Sequence, residues 1–274
     1  MKKMLRIASI VLAVVMLVAC FAACGKDSDT AKVSLAAKTS TMSAELTEQY
    51  AKEYGFDVAY YEDSPTMYTA VINGTNAGCF EDRSVIGWAI QEEGLALKTV
   101  GEVENPAAYG FAVKKGTNAE LLAMFNAGLA NIKANGKYDA ILAKYGYEST
   151  FADPTAERVE SGVTPDKTYI IYSDNAFAPF EYLDTATNEY VGVDMDILAA
   201  VAEDQGFEYE MHNEGFDASM GAVQAGQADA MIAGMTITDA RRETFDFSDG
   251  YFDDGQILVV PADSTATSVA DLVK

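Results

Sequence analysis

The chain has 274 residues, which allows one large domain or two ordinary ones, and 49% of its residues are hydrophobic. Its 42 acidic residues outnumber its 19 basic residues, and the resulting net charge of −23 argues against a nucleic-acid partner. With one histidine, His212, three cysteines and no CxxC pair, it has little material for a zinc site or a disulfide framework, so we expect no metal and no cofactor.

The N-terminus is typical of an export signal. A basic start, an apolar run and then small residues predict a signal peptide over residues 1–24 and a polar tether over residues 25–31. LVAC, which ends at Cys20, and FAAC, which ends at Cys24, both resemble the lipobox of bacterial lipoproteins, and the sequence leaves both cysteines open. We therefore expect an extracytoplasmic lipoprotein anchored to the bacterial cell membrane, with a plain secretory signal as the alternative.

Strands and helices alternate between residues 32 and 150, a pattern typical of α/β architecture. Short apolar runs predict strands, and longer amphipathic runs predict helices. In chain order the predictions are strand KVSLAA, helix AELTEQYAKEYG, strand DVAYYE, helix PTMYTAVING, strand AGCFED, helix SVIGWAIQEEG, strands LKTVGE and YGFAVKK, and one or two helices in NAELLAMFNAGLANIKANGKYDAILAKYG.

Residues 151–167 have no clear period and predict a linker. The alternation then resumes, which indicates a second α/β unit. Its predicted segments are TYIIYS, VDMDILAAVAEDQG, FEYEMH, FDASMGAVQAGQ, ADAMIAGM, TDARRETF, QILVV and a short final helix in SVADLVK.

Two segments of the chain are similar in sequence pattern. AVINGTNAGCFED, which begins at Ala70, and AVQAGQADAMIAG, which begins at Ala222, both combine a helix end, a glycine and an apolar strand. Asp82 and Gly234 fall at the same offset within them. The similarity predicts two similar lobes, each ending a strand at a potential ligand site, because open α/β sheets bind ligands at strand ends.

Three strand-to-turn segments carry polar groups suited to binding. In residues 234–252, Thr236 follows a strand and Arg241 lies in the first turn of a helix, so hydroxyls, free N–H groups and a guanidinium could receive a carboxylate. An ordinary N-cap with a solvated arginine is the alternative. Residues 173–182 place an acid and aromatic side chains after a strand, and residues 36–48 form a second hydroxyl-rich turn. The alternative for residues 173–182 is a turn with core aromatic residues, and the alternative for residues 36–48 is simple helix capping.

Taken together, these segments closely resemble the extracytoplasmic amino-acid-binding proteins that feed ABC transporters, especially their glutamine-binding branch. YIIYSDNAFAPFEY, YVGVDMDILAAVAEDQG and GMTITDARRETFDFSDGYF resemble the first half of that family. KVSLAAKTSTMSAELTEQYAKEYG, AVINGTNAGCFED and the segment ending in YDAILAKYG resemble its second half. The two halves stand in reverse order here. The sequence therefore resembles a circular permutation in which residues 151–166 join the ancestral termini.

The resemblance implies an α/β fold of the periplasmic-binding-protein-like type II class, with two lobes joined by two hinge crossovers. The implied ranges are lobe 1 over 110–250, including the 151–166 linker; lobe 2 over 32–104, completed by 256–274; and hinges at 105–109 and 251–255. The permuted order requires Ile257–Val260 to lie in the same sheet as Val33–Ala36.

The resemblance also implies a site for the two charged groups that all amino acids share. Arg241 would pair with the α-carboxylate, helped by the Thr236 N–H and by the turn at Thr41–Met42. Asp82 would bind the α-ammonium, together with the Gly234 carbonyl and the Thr236 hydroxyl.

The side-chain part of the implied site contains two aromatic residues and a charged pair. Phe177 and Phe216 would enclose the aliphatic stem of the ligand. Asp174 and Lys38 would bind a side-chain amide of the ligand. Asp174 would accept a hydrogen bond from its nitrogen, and Lys38 would donate one to its oxygen. Glu81 stands where the glutamine branch has a histidine, so a cationic ligand side chain is an alternative to glutamine.

The predicted function is the capture of a free polar amino acid, glutamine favoured, for delivery to the permease of an ABC importer, without enzymatic activity. One alternative is a dehydratase-like enzyme on the same scaffold that uses Glu81 as its general acid. The other is a permuted gene product without binding activity.

Overall fold

Two five-stranded sheets organise the part of the chain that the computed structural model describes, residues 32–274. Residues Val33–Lys274 form one compact unit. The predicted signal peptide and tether lie outside the described residues, and so do both candidate lipidation cysteines, Cys20 and Cys24.

The first sheet and the helices packed on it are named lobe 2. Its strands are β1 (Ser34–Lys38), β2 (Asp57–Tyr61), β3 (Cys79–Asp82), β4 (Leu97–Tyr109) and β13 (Phe252–Pro261). Their order across the sheet is β2-β1-β3-β13-β4. Strand β1 runs parallel to β2 and β3, whereas β13 runs antiparallel to β3 and β4.

Strand β13 brings the end of the chain into the same sheet as its first described strand. Val259 pairs with Cys79 on β3 and with Thr99 on β4, and it is fully buried. The run from Ile257 to Val260 is buried on both faces, which explains its unbroken apolar sequence. The sheet thus combines β1 and β13, the arrangement that the permuted order requires.

The second sheet and its helices are named lobe 1. Its strands are β5 (Ala112–Lys114), β6 (Thr168–Ser173), β10 (Glu208–Asn213), β11 (Ala230–Met231) and β12 (Phe245–Phe247), in the order β10-β6-β11-β5-β12. A small third sheet contains β7 (Ala176–Phe177), β8 (Glu181–Asp184) and β9 (Glu189–Val191).

Helices cover both sheets. Within residues 32–274 they are α1 (Met42–Tyr54), α2 (Ser64–Ile72), α3 (Arg83–Glu92), α4 (Ala119–Ala134), α5 (Lys137–Lys144), α6 (Val193–Gln205), α7 (Phe216–Ala225), α8 (Asp239–Arg242) and α9 (Val269–Leu272). The break between α4 and α5 falls at Asn135 and Gly136, as their sequence predicts. The sheets and helices together form the two-lobed α/β fold that the motifs predict.

The two lobes meet where β4 and β13 leave the first sheet side by side. Tyr109, the last residue of β4, pairs with Phe252, the first residue of β13, and also bridges to Thr236 of lobe 1. Three residues further on, Ala112 already belongs to the second sheet. The hinges expected at 105–109 and 251–255 stay a prediction.

The linker at residues 151–166 contains no helix or strand, but it is fixed by polar contacts. The Val159 N–H donates to the Asn131 side chain at 2.7 Å, and Arg158 pairs with Asp204. Elsewhere, Val33 and Leu272 pack against the same apolar cluster of lobe 2. The first and last elements of the described chain therefore share one core.

The structure differs from the predicted elements in several places. LKTVGE belongs to one 13-residue strand, β4, which continues through Pro106. ADAMIAGM contributes only the two residues of β11 to its sheet. The small sheet β7-β8-β9 was missed, because strands of two to four residues are too short to show a period.

Candidate ligand-binding site

A cavity lies between the lobes, and it brings together ten of the eleven residues predicted to bind a ligand. Its internal volume is about 20 Å³. Lobe 2 contributes four lining residues and lobe 1 contributes the rest. The lining residues are Lys38, Thr41, Met42, Asp82, Asp174, Phe177, Phe216, Ala233, Gly234, Thr236 and Arg241. Ala233 was not predicted, since it has no polar group that could have distinguished it from a core residue.

Arg241 presents a buried guanidinium to this cavity. Its helix α8 begins at the N-cap Thr238, whose hydroxyl accepts the Arg241 backbone N–H at 3.1 Å. The guanidinium donates to the Thr236 carbonyl at 2.9 Å and to the Ser40 carbonyl of lobe 2 at 3.0 Å. Burial lowers the pKa of Arg241. Among residues 32–274 it has no salt-bridge partner, so its remaining N–H groups suit an anion.

The turn before α1 faces Arg241 from lobe 2. Thr41 is the N-cap of α1, and its hydroxyl accepts the Ala44 N–H at 3.2 Å and donates to the Lys38 carbonyl at 2.7 Å. Because this hydroxyl already serves the turn, the local donors for an anion are backbone N–H groups in the first turn of the helix, which starts at Met42.

Asp82 lies across the cavity, where β3 ends and α3 begins. It accepts a hydrogen bond from Gln256 at 2.8 Å and forms no salt bridge with any described residue. Burial raises the pKa of Asp82 well above its ordinary value, and the neighbouring acids Glu81 and Asp254 raise it further. A cation at this position would therefore relieve an unfavourable charge.

Glu81 lies behind the cavity rather than in its lining. Adjacent residues of a strand point to opposite faces, so Glu81 and Asp82 diverge. The Glu81 carboxylate accepts hydrogen bonds from Ser64 at 2.9 Å, Tyr68 at 2.8 Å and the Asp82 N–H at 3.0 Å. These contacts satisfy it within lobe 2.

Lys38 and Asp174 contact each other. They come from the two lobes and form an ion pair whose side chains are 2% and 1% exposed. Burial by itself lowers the pKa of Lys38, but the acids Asp174, Glu81 and Glu181 together leave that pKa above its ordinary value. The Lys38 ammonium also lies 4.7 Å from the centre of the Phe177 ring and 6.0 Å from that of Phe216. The two predicted aromatic residues thus flank this cation.

Gly234 forms part of the cavity floor in a conformation that favours glycine. Its φ is +53°, and a Cβ atom there would lie 2.6 Å from Cε1 of Phe177. Both the left-handed backbone and the close ring require glycine. Thr236 follows two residues later and is held by its bridge to Tyr109.

No cluster of three or more potential metal-binding side chains occurs within residues 32–274. In the same residues no helix is long and apolar enough to cross a membrane. His212 lies on β10 and stacks on Tyr172, with ring centres 4.8 Å apart. The histidine is a strand residue, as its sequence context predicts.

One region of the chain matches a known protein family. Residues 169–271 match the bacterial extracellular solute-binding proteins, family 3. The matched region is less than half of the chain, and it supports the resemblance that the motifs indicate. The family consists of solute-binding proteins rather than enzymes.

Curated relatives match a part of the chain. A probable histidine-binding protein of Neisseria gonorrhoeae is 39% identical over 110 residues, or 40% of this chain and 41% of the relative. An arginine-binding extracellular protein of Bacillus subtilis is 32% identical over 124 residues, or 45% and 48%. A glutamine-binding protein of the same organism is 37% identical over 92 residues, or 32% and 34%. The chain thus spans less than half the length of each of these relatives.

Proposed function

We propose that the protein captures a polar amino acid, glutamine favoured, by closure of its two lobes and delivers it to an ABC importer. The observation that carries this proposal is the presence of a buried guanidinium and a buried carboxyl group in the lining of one cavity. Within residues 32–274, Arg241 supplies a cation without a carboxylate partner, and Asp82 supplies an acid without a cationic partner. An amino-acid zwitterion complements both.

In this proposal the ligand carboxylate binds the free N–H groups of the Arg241 guanidinium, the Thr236 N–H and the first turn of α1. The ligand ammonium binds Asp82, the Gly234 carbonyl and the Thr236 hydroxyl. At about 1.5–3 kcal/mol per hydrogen bond to a charged group, a few such bonds can supply the ~8 kcal/mol of micromolar binding after ordering costs.

The ion pair between Lys38 and Asp174 favours a neutral polar side chain. Its ammonium can donate to an amide oxygen, and its carboxylate can accept from an amide nitrogen. A cationic side chain gains little at this pair, because Lys38 already neutralises Asp174. Glu81, the acid that would favour a cationic ligand, is satisfied by Ser64 and Tyr68 behind the cavity. These contacts support glutamine over arginine.

The names of the relatives support a second class of ligand for this protein. Proteins named as histidine-binding and arginine-binding match this chain as well as a glutamine-binding protein does. A basic amino acid is therefore the second candidate, and the ranking among glutamine, arginine and histidine decides between the two.

Lobe closure and the permuted order form the second part of the proposal. The adjacent strands at 105–109 and 251–255 are the candidate hinges, since they are where the chain passes between the sheets. Two observations support the permuted order. Strand β13 completes the sheet of β1, and Val33 and Leu272 share one cluster of lobe 2.

The cellular setting follows from the N-terminal sequence. Its signal and lipobox-like motifs support anchoring outside the cytoplasm through Cys20 or Cys24. Lipid anchoring would hold the protein beside its permease at the membrane.

A thermal-shift screen of the twenty amino acids tests the proposed function. A ligand at 100 times its Kd should add ~2.7 kcal/mol of stability, and glutamine should give the largest shift. A larger shift with arginine or histidine would replace the glutamine assignment with a basic ligand. No shift with any amino acid would favour the reading of a permuted product without binding activity.

A further inference from the structure

The carboxyl groups of Glu181 and Asp194 interact with each other behind Gly234 in the floor of the cavity. Glu181 is the first residue of β8 and stands opposite Phe177 in the pairing of β7 with β8. Asp194 lies in the first turn of α6. Both residues are completely buried, with 0% exposure, and neither forms a salt bridge within residues 32–274.

The two carboxyl groups have four oxygen atoms. One of them accepts two hydrogen bonds, and the other three have no hydrogen-bond donor in the described part of the chain. Asp194 Oδ2 accepts the Gly234 N–H at 2.8 Å and the Tyr251 hydroxyl at 2.7 Å. The second oxygen of Asp194 and both oxygens of Glu181 lack a donor. Buried acceptors without donors are costly, so these three atoms require an explanation.

A single proton shared by the two acids would explain why these oxygens lack donors. Two ionised carboxylates would repel each other and cannot hydrogen-bond, whereas a carboxylic acid can donate to a carboxylate. The proton belongs on Glu181, since Asp194 already accepts two hydrogen bonds and lies at a helix N-terminus, where negative charge is favoured. An O–H on Glu181 would satisfy the second oxygen of Asp194.

The surrounding charges agree with this assignment. Burial raises the pKa of Glu181 well above its ordinary value, and Asp194 and Asp174 raise it further, against an opposing effect of Lys38. Burial also raises the pKa of Asp194, to about 7, although the Tyr251 hydroxyl and the Gly234 N–H act to lower it. Burial raises the pKa of Tyr251 itself, so its hydroxyl remains a donor.

We propose that Glu181 is a neutral carboxylic acid that donates its proton to Asp194, and that this pair positions Gly234 in the floor of the binding cavity. Glu181 is thus a positioning residue rather than a ligand contact. Its effect on affinity rests on the proposed amino-acid binding, because the Gly234 carbonyl is one of the proposed ammonium acceptors. The protonation state itself is independent of that function.

Infrared spectroscopy tests the protonation directly on the whole protein. At neutral pH the wild type should show the carbonyl stretch of a buried protonated acid that shifts on ¹³C labelling of glutamate. The band should disappear in Glu181→Gln and persist in the control Glu189→Gln, which changes an exposed residue of β9. Persistence of the full band in Glu181→Gln, or its absence from the wild type, would overturn the proposal.

Affinity for glutamine, measured by calorimetry, tests the positioning role. Glu181→Gln retains a donor for Asp194 and should bind within about threefold of the wild type, whereas Glu181→Met has similar length but no donor and should bind at least about tenfold more weakly, or ~1.4 kcal/mol. Equal affinities in the two variants would contradict the role of the proton. If the wild type binds no amino acid, the proposed function fails, while the infrared result still decides the state of Glu181.

Discussion

Lys38 and Asp174 form a buried ion pair although 136 residues separate them in the sequence. Lys38 ends β1 of lobe 2, and Asp174 follows β6 of lobe 1. Removing one partner of such a pair leaves the other charge buried and unpaired, which is costly. The pair therefore couples the stability of the protein to the contact between its lobes.

Replacing one partner of this pair should destabilise the protein more than replacing both partners. Lys38→Met or Asp174→Leu alone should lower the free energy of unfolding by about 3–5 kcal/mol, and the double variant should recover most of that loss. Urea denaturation of the four proteins measures the coupling. Additive effects of the two substitutions would show that the residues do not interact in solution.

The exposed pair Lys115–Asp246 provides a matched control. Its ammonium and carboxylate lie 2.7 Å apart, but its side chains are 53% and 35% exposed. Lys115→Met should change the free energy of unfolding by less than about 1 kcal/mol, because solvent screens exposed pairs.

Arg241→Ala should abolish measurable binding of every amino acid, since the guanidinium is proposed to bind a group that all of them share. The loss of two hydrogen bonds to a charged group predicts at least a ~100-fold increase in Kd. Arg242→Ala is the control, because the neighbouring side chain is exposed and absent from the cavity lining. Calorimetry with glutamine and arginine measures both variants. Unaltered affinity in Arg241→Ala would remove the basis of the site.

The cavity residues could be predicted because the family resemblance implies them, and most belong to a motif near a strand end. Arg241 follows the hydroxyl-rich turn at Thr236–Thr238, and Asp82 ends the strand AGCFED. Their mutual distances could not be predicted. The contact between Lys38 and Asp174 depends on how two separately formed sheets meet, which local sequence does not contain.

The long strand β4 shows a second limit of sequence reasoning. The predicted strand LKTVGE ends at Glu102, whereas β4 continues through Pro106, a residue that is unfavourable inside a sheet. The structure tolerates it because β4 is the edge strand of its sheet, where a missing N–H donor costs little. Register shifts in its pairing with β13 accommodate the irregular backbone, which includes Asn105 at φ +48°.

Asp82→Asn should stabilise the ligand-free protein at neutral pH while it abolishes amino-acid binding. Burial raises the pKa of Asp82, so the folded state holds its proton more tightly than the unfolded state does. The folded wild type therefore loses stability as the pH rises from the unfolded pKa, about 4, through the raised folded pKa. The Asp82→Asn variant has no carboxyl group at this position and therefore does not lose this stability as the pH rises.

Thermal denaturation between acidic and neutral pH measures this difference. The melting temperatures of the two proteins should agree most closely at the acidic end and should separate in favour of Asp82→Asn as the pH rises. A separation of the opposite sign would show that Asp82 is ionised and stabilised in the folded, ligand-free protein.

Restoring the order of the relatives should leave the fold intact. A chain that runs from residue 167 to 274 and then from 32 to 150 should bind the same amino acid with a similar Kd. Val33 and Leu272 already pack on one cluster, so a short connection can join them. A control in the present order, with a Gly/Ser segment replacing residues 151–166, isolates the contribution of linker contacts such as Asn131–Val159. Failure of the reordered chain alone would contradict the permuted arrangement.

Calorimetry with glutamine and two analogues tests the zwitterion site most directly. One analogue carries hydrogen in place of the α-carboxylate, and the other carries hydrogen in place of the α-ammonium. The wild type should bind glutamine at about micromolar Kd and each analogue at least ~100-fold more weakly. The first analogue leaves the Arg241 charge unpaired, and the second lacks the ammonium that would bind Asp82. Equal binding of glutamine and either analogue would show that the cavity does not recognise both charged groups of an amino acid.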